Sequence, residues 1–397
     1  MKTSRKYAIN AILCTVVLAA VFAVVMRELS YPWSDYSLHL QWAVNFRKEF
    51  SKLFTSVSEF QFQYPMWHIL VNLSYKLLRF FFGDISPDYA AVLVTLLLKG
   101  VIYFLIEKVI AYYGCSNSEV IAFGLSFVMP IYHKWETSSM FYFGQGSPVV
   151  WHSPSNMIVK PFSIIGFFLI IQILDKIEKK KNVRKEYIFL TIIIFLSTLA
   201  KPSFFQGIVP ALGLYILIKL FSTKFENFKA YCLLCACFIP GFLIIIFQFL
   251  LVFFIGEGGE GIGFGWMEIA KNYYAHPWLQ FFLTLTFPFC YILFNLDRVK
   301  NKTEIILSVL YVFCSWFEYV LLYENGIRKL DGNFEWAVCL AYTVIWIVTS
   351  TFFFKDWQDI NAEDKKEKIK NIFLFLVWMA HFVSGLYFLW GFLTVIR

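Results

Sequence analysis

Apolar stretches recur along the whole chain, at roughly 7–26, 64–82, 88–112, 117–133, 157–174, 187–200, 204–221, 230–255, 278–295, 304–323, 335–354 and 371–394. Most approach the ~20 residues that cross a hydrocarbon core as a helix. In lipid a backbone without internal hydrogen bonds is too costly, so each stretch predicts an α-helix. No long polar segment separates them, so residues 1–397 are expected to form a single transmembrane domain. The fold class is all-α and polytopic, with about 11–13 spans. The first apolar run follows Lys2, Arg5 and Lys6, as in a signal peptide, but it is longer than a signal core and is read as the first span.

Charge gives these spans a direction. Basic residues collect in the linkers 176–185, 224–229, 298–302 and 355–370, and with the N-terminus they mark the cytoplasmic face. The extracytoplasmic segments are then 27–63, about 137–156, the turn at Lys201, 256–277 and 324–334. One conflict remains: three apolar stretches lie between the loop ending near Gln63 and the loop around His152, and three crossings cannot join two loops on one side. A short extra crossing or re-entrant piece near Ser138 to Val150, which holds Gly144, Gly146 and Pro148, repairs the count. Within the first loop, Tyr36, Leu40, Ala43, Val44, Phe50, Leu53 and Phe54 recur at helical spacing, which predicts an amphipathic helix in the interface. The stretch 256–265 holds six Gly and is expected to be mobile, either a lid or a plain connector.

Composition agrees with a bilayer as solvent. Hydrophobic residues are 59% of the chain and charged residues 16%, and 47 Phe exceed what one soluble core absorbs. The net charge of +8 sits in short runs between spans, so no nucleic-acid partner is expected. Eight Cys fall almost all in apolar stretches, and even Cys232, Cys235 and Cys237 read as small buried residues rather than a disulfide framework or metal site.

The polar residues that could carry chemistry lie on the extracytoplasmic side. Asp35 and His39, in SDYSLH, share a helix face if a helix begins near Ser34. Asp35 is either a partly desolvated base or simply a helix cap. In WHSPSN, His152 and Asn156 either line a headgroup site or belong to a helix start anchored by Trp151. Lys201, in AKPSF, interrupts an apolar run at a tight turn on a face where positive-inside placement cannot explain it, which favours an anionic partner. The segment ENGIRKLDGNFEW offers Arg328 as a planar fork for phosphate, Glu324 to orient it, and Asn333 in the turn after Asp331. His276 reads as an interfacial filler, and Glu318 and His381 as polar groups facing a protein interior.

An acidic residue just after the first span, an interfacial helix behind it and later loops bearing cations together resemble the GT-C class of membrane glycosyltransferases. The resemblance implies transfer of a sugar from a polyprenyl phosphate donor to a glycan, lipid or protein acceptor on the extracytoplasmic face. It implies Asp35 as general base, with Lys201 and Arg328 on the lipid phosphate. His39, His152, Asn156, Glu324 and Asn333 would complete the substrate site. No cofactor is required on this reading, and a divalent metal, though compatible, is not called for. The first loop has one Asp where many relatives have an Asp-Glu pair, and no soluble domain follows the membrane part. A bacterial plasma membrane with a cytoplasmic N-terminus and a role in cell-envelope glycans is the expected setting. The competing expectation is a transporter or flippase of lipid-linked glycans, which would show broken helices and ionisable groups at mid-membrane, with internal repeats.

Overall fold

The computed structural model describes residues 2–48, 64–133, 146–250, 261–359 and 364–394, without the side chains of 2–5, 45–48, 327 and 328. Helices α1 (Lys2–Leu29), α2 (Asp35–Lys48), α3 (Met66–Phe82), α4 (Pro87–Tyr112) and α5 (Ser118–Leu125) come first. They are followed by α6 (Pro154–Glu178), α7 (Arg184–Ala200), α8 (Ser203–Ser222), α9 (Phe228–Ala236) and α10 (Ile239–Leu250). Then come α11 (Pro277–Phe294), α12 (Thr303–Leu321), α13 (Glu335–Gln358) and α14 (Lys365–Thr394). The one sheet pairs β1 (Ile262–Phe264) antiparallel with β2 (Leu322–Glu324), and a 3-10 helix, Gly326–Asp331, follows β2. The chain is an all-α polytopic membrane protein: nine helical stretches among the described residues are long and apolar enough to cross, α9 and α10 together making one.

The linkers rich in lysine meet at one end of the bundle. Lys180 pairs with Glu226 at 2.8 Å, Lys219 bonds Glu178, and Arg298 pairs with Glu367 at 3.4 Å. Tyr215 bonds Thr303, Tyr113 bonds Glu304, and Lys6 lies 3.4 Å from Glu119. Asp35, Lys201 and the loop after β2 are at the opposite end. Helix α3 has both its ends there too. Its start touches α2 through His68 against His39 and through Asn72, which donates to the Ala43 carbonyl at 3.0 Å. Five residues past its end, Pro87 begins α4 and with Asp88 borders a groove with Leu29 at the end of α1, Ser30, and Ser37 and Gln41 of α2.

Residues 64–82 therefore lie along the face instead of crossing. Trp67, His68, Val71 and Tyr75 form a buried stripe, Leu73, Leu77 and Phe80 to Phe82 project outward, and Lys76 and Arg79 stay exposed. Such a helix seats its apolar side at the interface. Removing this crossing resolves the parity conflict without an extra span near residue 138. Of that predicted piece, 138–145 lie outside the described residues. With α7, of 17 residues, as a tenth crossing, the eleventh is the stretch predicted as 117–133.

That eleventh crossing is broken. Helix α5 ends at Leu125, a turn follows at 126–127, and residues 128–133 continue without regular secondary structure. Their backbone groups find partners in α11 and α14, as they must away from water. Met129 N–H donates to the His381 carbonyl at 3.2 Å, Ile131 N–H to the Leu283 carbonyl at 3.2 Å, and Tyr132 N–H to Ser384 Oγ at 2.9 Å. His381 Nε2 accepts the Phe287 N–H at 3.4 Å, so its Nδ1 carries the proton and donates to the Met129 carbonyl at 2.7 Å. Pro288 inside α11 leaves the Thr284 carbonyl without its helical donor, and Trp346 Nε1–H supplies one at 3.1 Å. The approach is so close that a Cβ on Gly385 would stand 1.5 Å from the Phe127 carbonyl oxygen.

Candidate functional site

The site is built on the first turn of α2. Ser34 caps this helix: its Oγ accepts the Ser37 N–H at 3.1 Å and donates to the Glu28 carbonyl at 2.6 Å. Asp35, the next residue, is thereby free of the capping role that sequence also allowed it. The residue is partly open to solvent, but its carboxyl group is packed round by protein, and that packing decides its protonation. Burial pushes the Asp35 pKa up to about 6, against the opposing pull of Lys201 and with added repulsion from Asp331. Three segments distant in sequence thus bring their charges to one place.

Lys201 arrives from the extended turn between α7 and α8, whose direction Pro202 fixes. It is 5% exposed, donates to Ser155 Oγ at 3.1 Å and stands over the ring of Trp336 at 4.6 Å and of Tyr64 at 5.9 Å. Its amine thus lies between aromatic faces and a hydroxyl, with little water around it. His39, one turn after Asp35, stacks on His68 with Nδ1 and Nε2 3.1 Å apart, edged by Trp42 and Trp67. Burial first, then His68 and Lys201, hold its pKa well below the usual imidazole range, so His39 is neutral.

Beneath Lys201 lies the start of α6. His152, Ser153 and Asn156 are all buried, and both amide atoms of Asn156 lack a hydrogen-bond partner among the described residues. The segment that leads into them from residue 146 is a buried turn. Ser147 Oγ accepts the Val149 and Val150 N–H groups, Thr284 donates to the Gly146 carbonyl, and Thr343 and Lys160 both donate to the Pro148 carbonyl. Val150 sits at φ +38°, a strained value for a β-branched residue.

The remaining predicted residues divide. Glu324 accepts from Asn333 Nδ2 at 2.8 Å, so these two brace the loop between β2 and α13. Arg328 falls within the 3-10 helix that carries Asp331, but its side chain lies outside the described residues. His276 is exposed at the start of α11. Of the Gly-rich loop, 251–260 lie outside the described residues, while 262–264 pair with β2.

Four contributors were not singled out from sequence as site residues. In the sequence Asp331 is an ordinary turn residue before Gly332, His68 falls in the apolar stretch 64–82, and Glu335 is one of several charges in ENGIRKLDGNFEW. Glu335 is 3% exposed and accepts from Tyr274 OH. Lys99 is a lone cation in an apolar run, the same signal that marked Lys201. No family model and no curated protein matches the chain.

Proposed function

We propose that this protein is a membrane glycosyltransferase that moves a sugar from a polyprenyl phosphate donor to an acceptor hydroxyl at the face carrying Asp35. The observation that carries the reading is the meeting of Asp35, Lys201 and Asp331 at one end of the bundle. By the positive-inside rule the lysine-rich end faces the cytoplasm, which puts the N-terminus inside and this site outside, in a plasma membrane of bacterial type. Asp35 takes the proton of the acceptor hydroxyl as its oxygen bonds the anomeric carbon. The bond from that carbon to the phosphate oxygen breaks, and Lys201, with Arg328, balances the charge left on the lipid phosphate. Neutral His39 and the unpartnered Asn156 amide offer hydrogen bonds to sugar or phosphate oxygens.

A transporter or flippase of lipid-linked glycans is favoured by two observations, the broken crossing at 118–132 and the buried lysines Lys99 and Lys160. Against it, the break is packed by neighbouring side chains: Trp378 stands against Gly124, His381 bonds Met129, and Tyr387 lies beside Tyr132. Membranes carrying Asp35→Asn should lose sugar transfer from a polyprenyl phosphate donor while expression persists. Unchanged transfer would remove Asp35 from the base role.

A further inference from the structure

We propose that a single small monovalent anion, of the size of chloride, occupies the cavity between Lys99 and Lys160 in the middle of the bundle. The proposal is independent of the glycosyl-transfer reading. Lys99 stands twelve residues into α4 from Pro87, ~18 Å along the axis at 1.5 Å per residue. It is 3% exposed, and among the described residues its amine has no carboxylate and no hydrogen bond; the ring of Trp151 lies at 5.8 Å and the Cys14 thiol is nearby. Lys160 is equally buried, and its ammonium donates to the Pro148 carbonyl at 2.6 Å and to the Val149 carbonyl, both uncharged.

Both lysines line one cavity, closed by Leu125, Val128, Pro148, Val149, Thr343 and Trp346, and no acidic residue borders it. Two lysine amines around one low-dielectric space stay charged together only if a counter-charge lies between them, and ionisable groups within a membrane protein are ordinarily paired. The space between the side chains is narrow. It has room for one small occupant, and too little for phosphate. Lys160 has spent two of its three N–H donors, and all three of Lys99 remain. An anion there gives both lysines a counter-charge and, through Lys160, fixes the buried turn at Pro148 and Val149.

The test is equilibrium binding of radiolabelled chloride to the purified full-length chain in detergent. The expected result is one saturable site per chain, displaced by bromide and untouched by gluconate, and lost in Lys99→Met that remains monodisperse. Bromide-soaked crystals should show one anomalous peak between the two ammonium groups. Should Lys99→Met fail to fold, the wild-type stoichiometry and the bromide peak decide alone. No saturable chloride binding to the wild type, or binding undiminished in a folded Lys99→Met, overturns the proposal. The cavity would then hold water beside uncharged amines.

Discussion

Asp35 supplies a pH dependence whose position and direction follow from its surroundings. As a base it acts only when ionised, and with its pKa near 6 about nine-tenths of it is carboxylate at pH 7 and about one-tenth at pH 5. Transfer limited by this group should therefore fall about tenfold between those values. A carboxylate with an ordinary pKa of about 3.9 would lose under ~10% of its ionised form over the same range. The neighbours set two opposite shifts. Asp331→Asn removes a repulsion that raises the pKa, so the acidic limb should move to lower pH. Lys201→Met removes the attraction that lowers it, so the limb should move to higher pH, together with weaker donor binding. The assay is initial-rate transfer in proteoliposomes, with donor saturating, from pH 4.5 to 8. A wild-type limb lying below pH 5, or variants that displace it in the same direction, would refute the assignment of Asp35 and the electrostatics behind it.

Other consequences are open to measurement. His381→Phe leaves the Met129 carbonyl and the Phe287 N–H without their side-chain partner, which should cost about 1–3 kcal/mol, read as a lowered thermal midpoint in detergent. A loss under ~0.5 kcal/mol would mean that the break in the crossing is satisfied some other way. Single cysteines at Trp33 and Asp84, on either side of α3, should react with a membrane-impermeant thiol reagent from the same face of sealed vesicles. Labelling from opposite faces would restore α3 as a span.

Much of the architecture was visible in hydropathy because burial in lipid demands long apolar helices whatever they pack against. What hydropathy could not separate is crossing from lying flat. Residues 64–82 are as apolar as a span, and only the sidedness of Trp67, Val71 and Tyr75 against Leu73, Leu77 and Phe80 distinguishes them. Residues 117–133 are equally apolar, yet Gly124 and Gly385 admit the bulk of Trp378 and a bare carbonyl, contacts that depend on partners more than two hundred residues away. At the site, Lys201 was legible because a lone cation in an apolar run is expensive. Asp331 was not, because Asp before Gly is an ordinary turn. Its bearing on Asp35 arises only once the 3-10 helix folds over α2.

The burial of α13 bears on how the protein is made. Within its apolar stretch 94% of residues are enclosed, against 28% for α1, so this helix has almost no surface for lipid. It also leaves the ribosome after most of the helices that surround it. Its neighbours α4, α6, α8, α11 and α12 are synthesised earlier and must gather around a position still waiting for its occupant. Truncation before residue 335 should accordingly leave an inserted but loosely joined set of helices, and the late arrival of this central post is the step that locks them together.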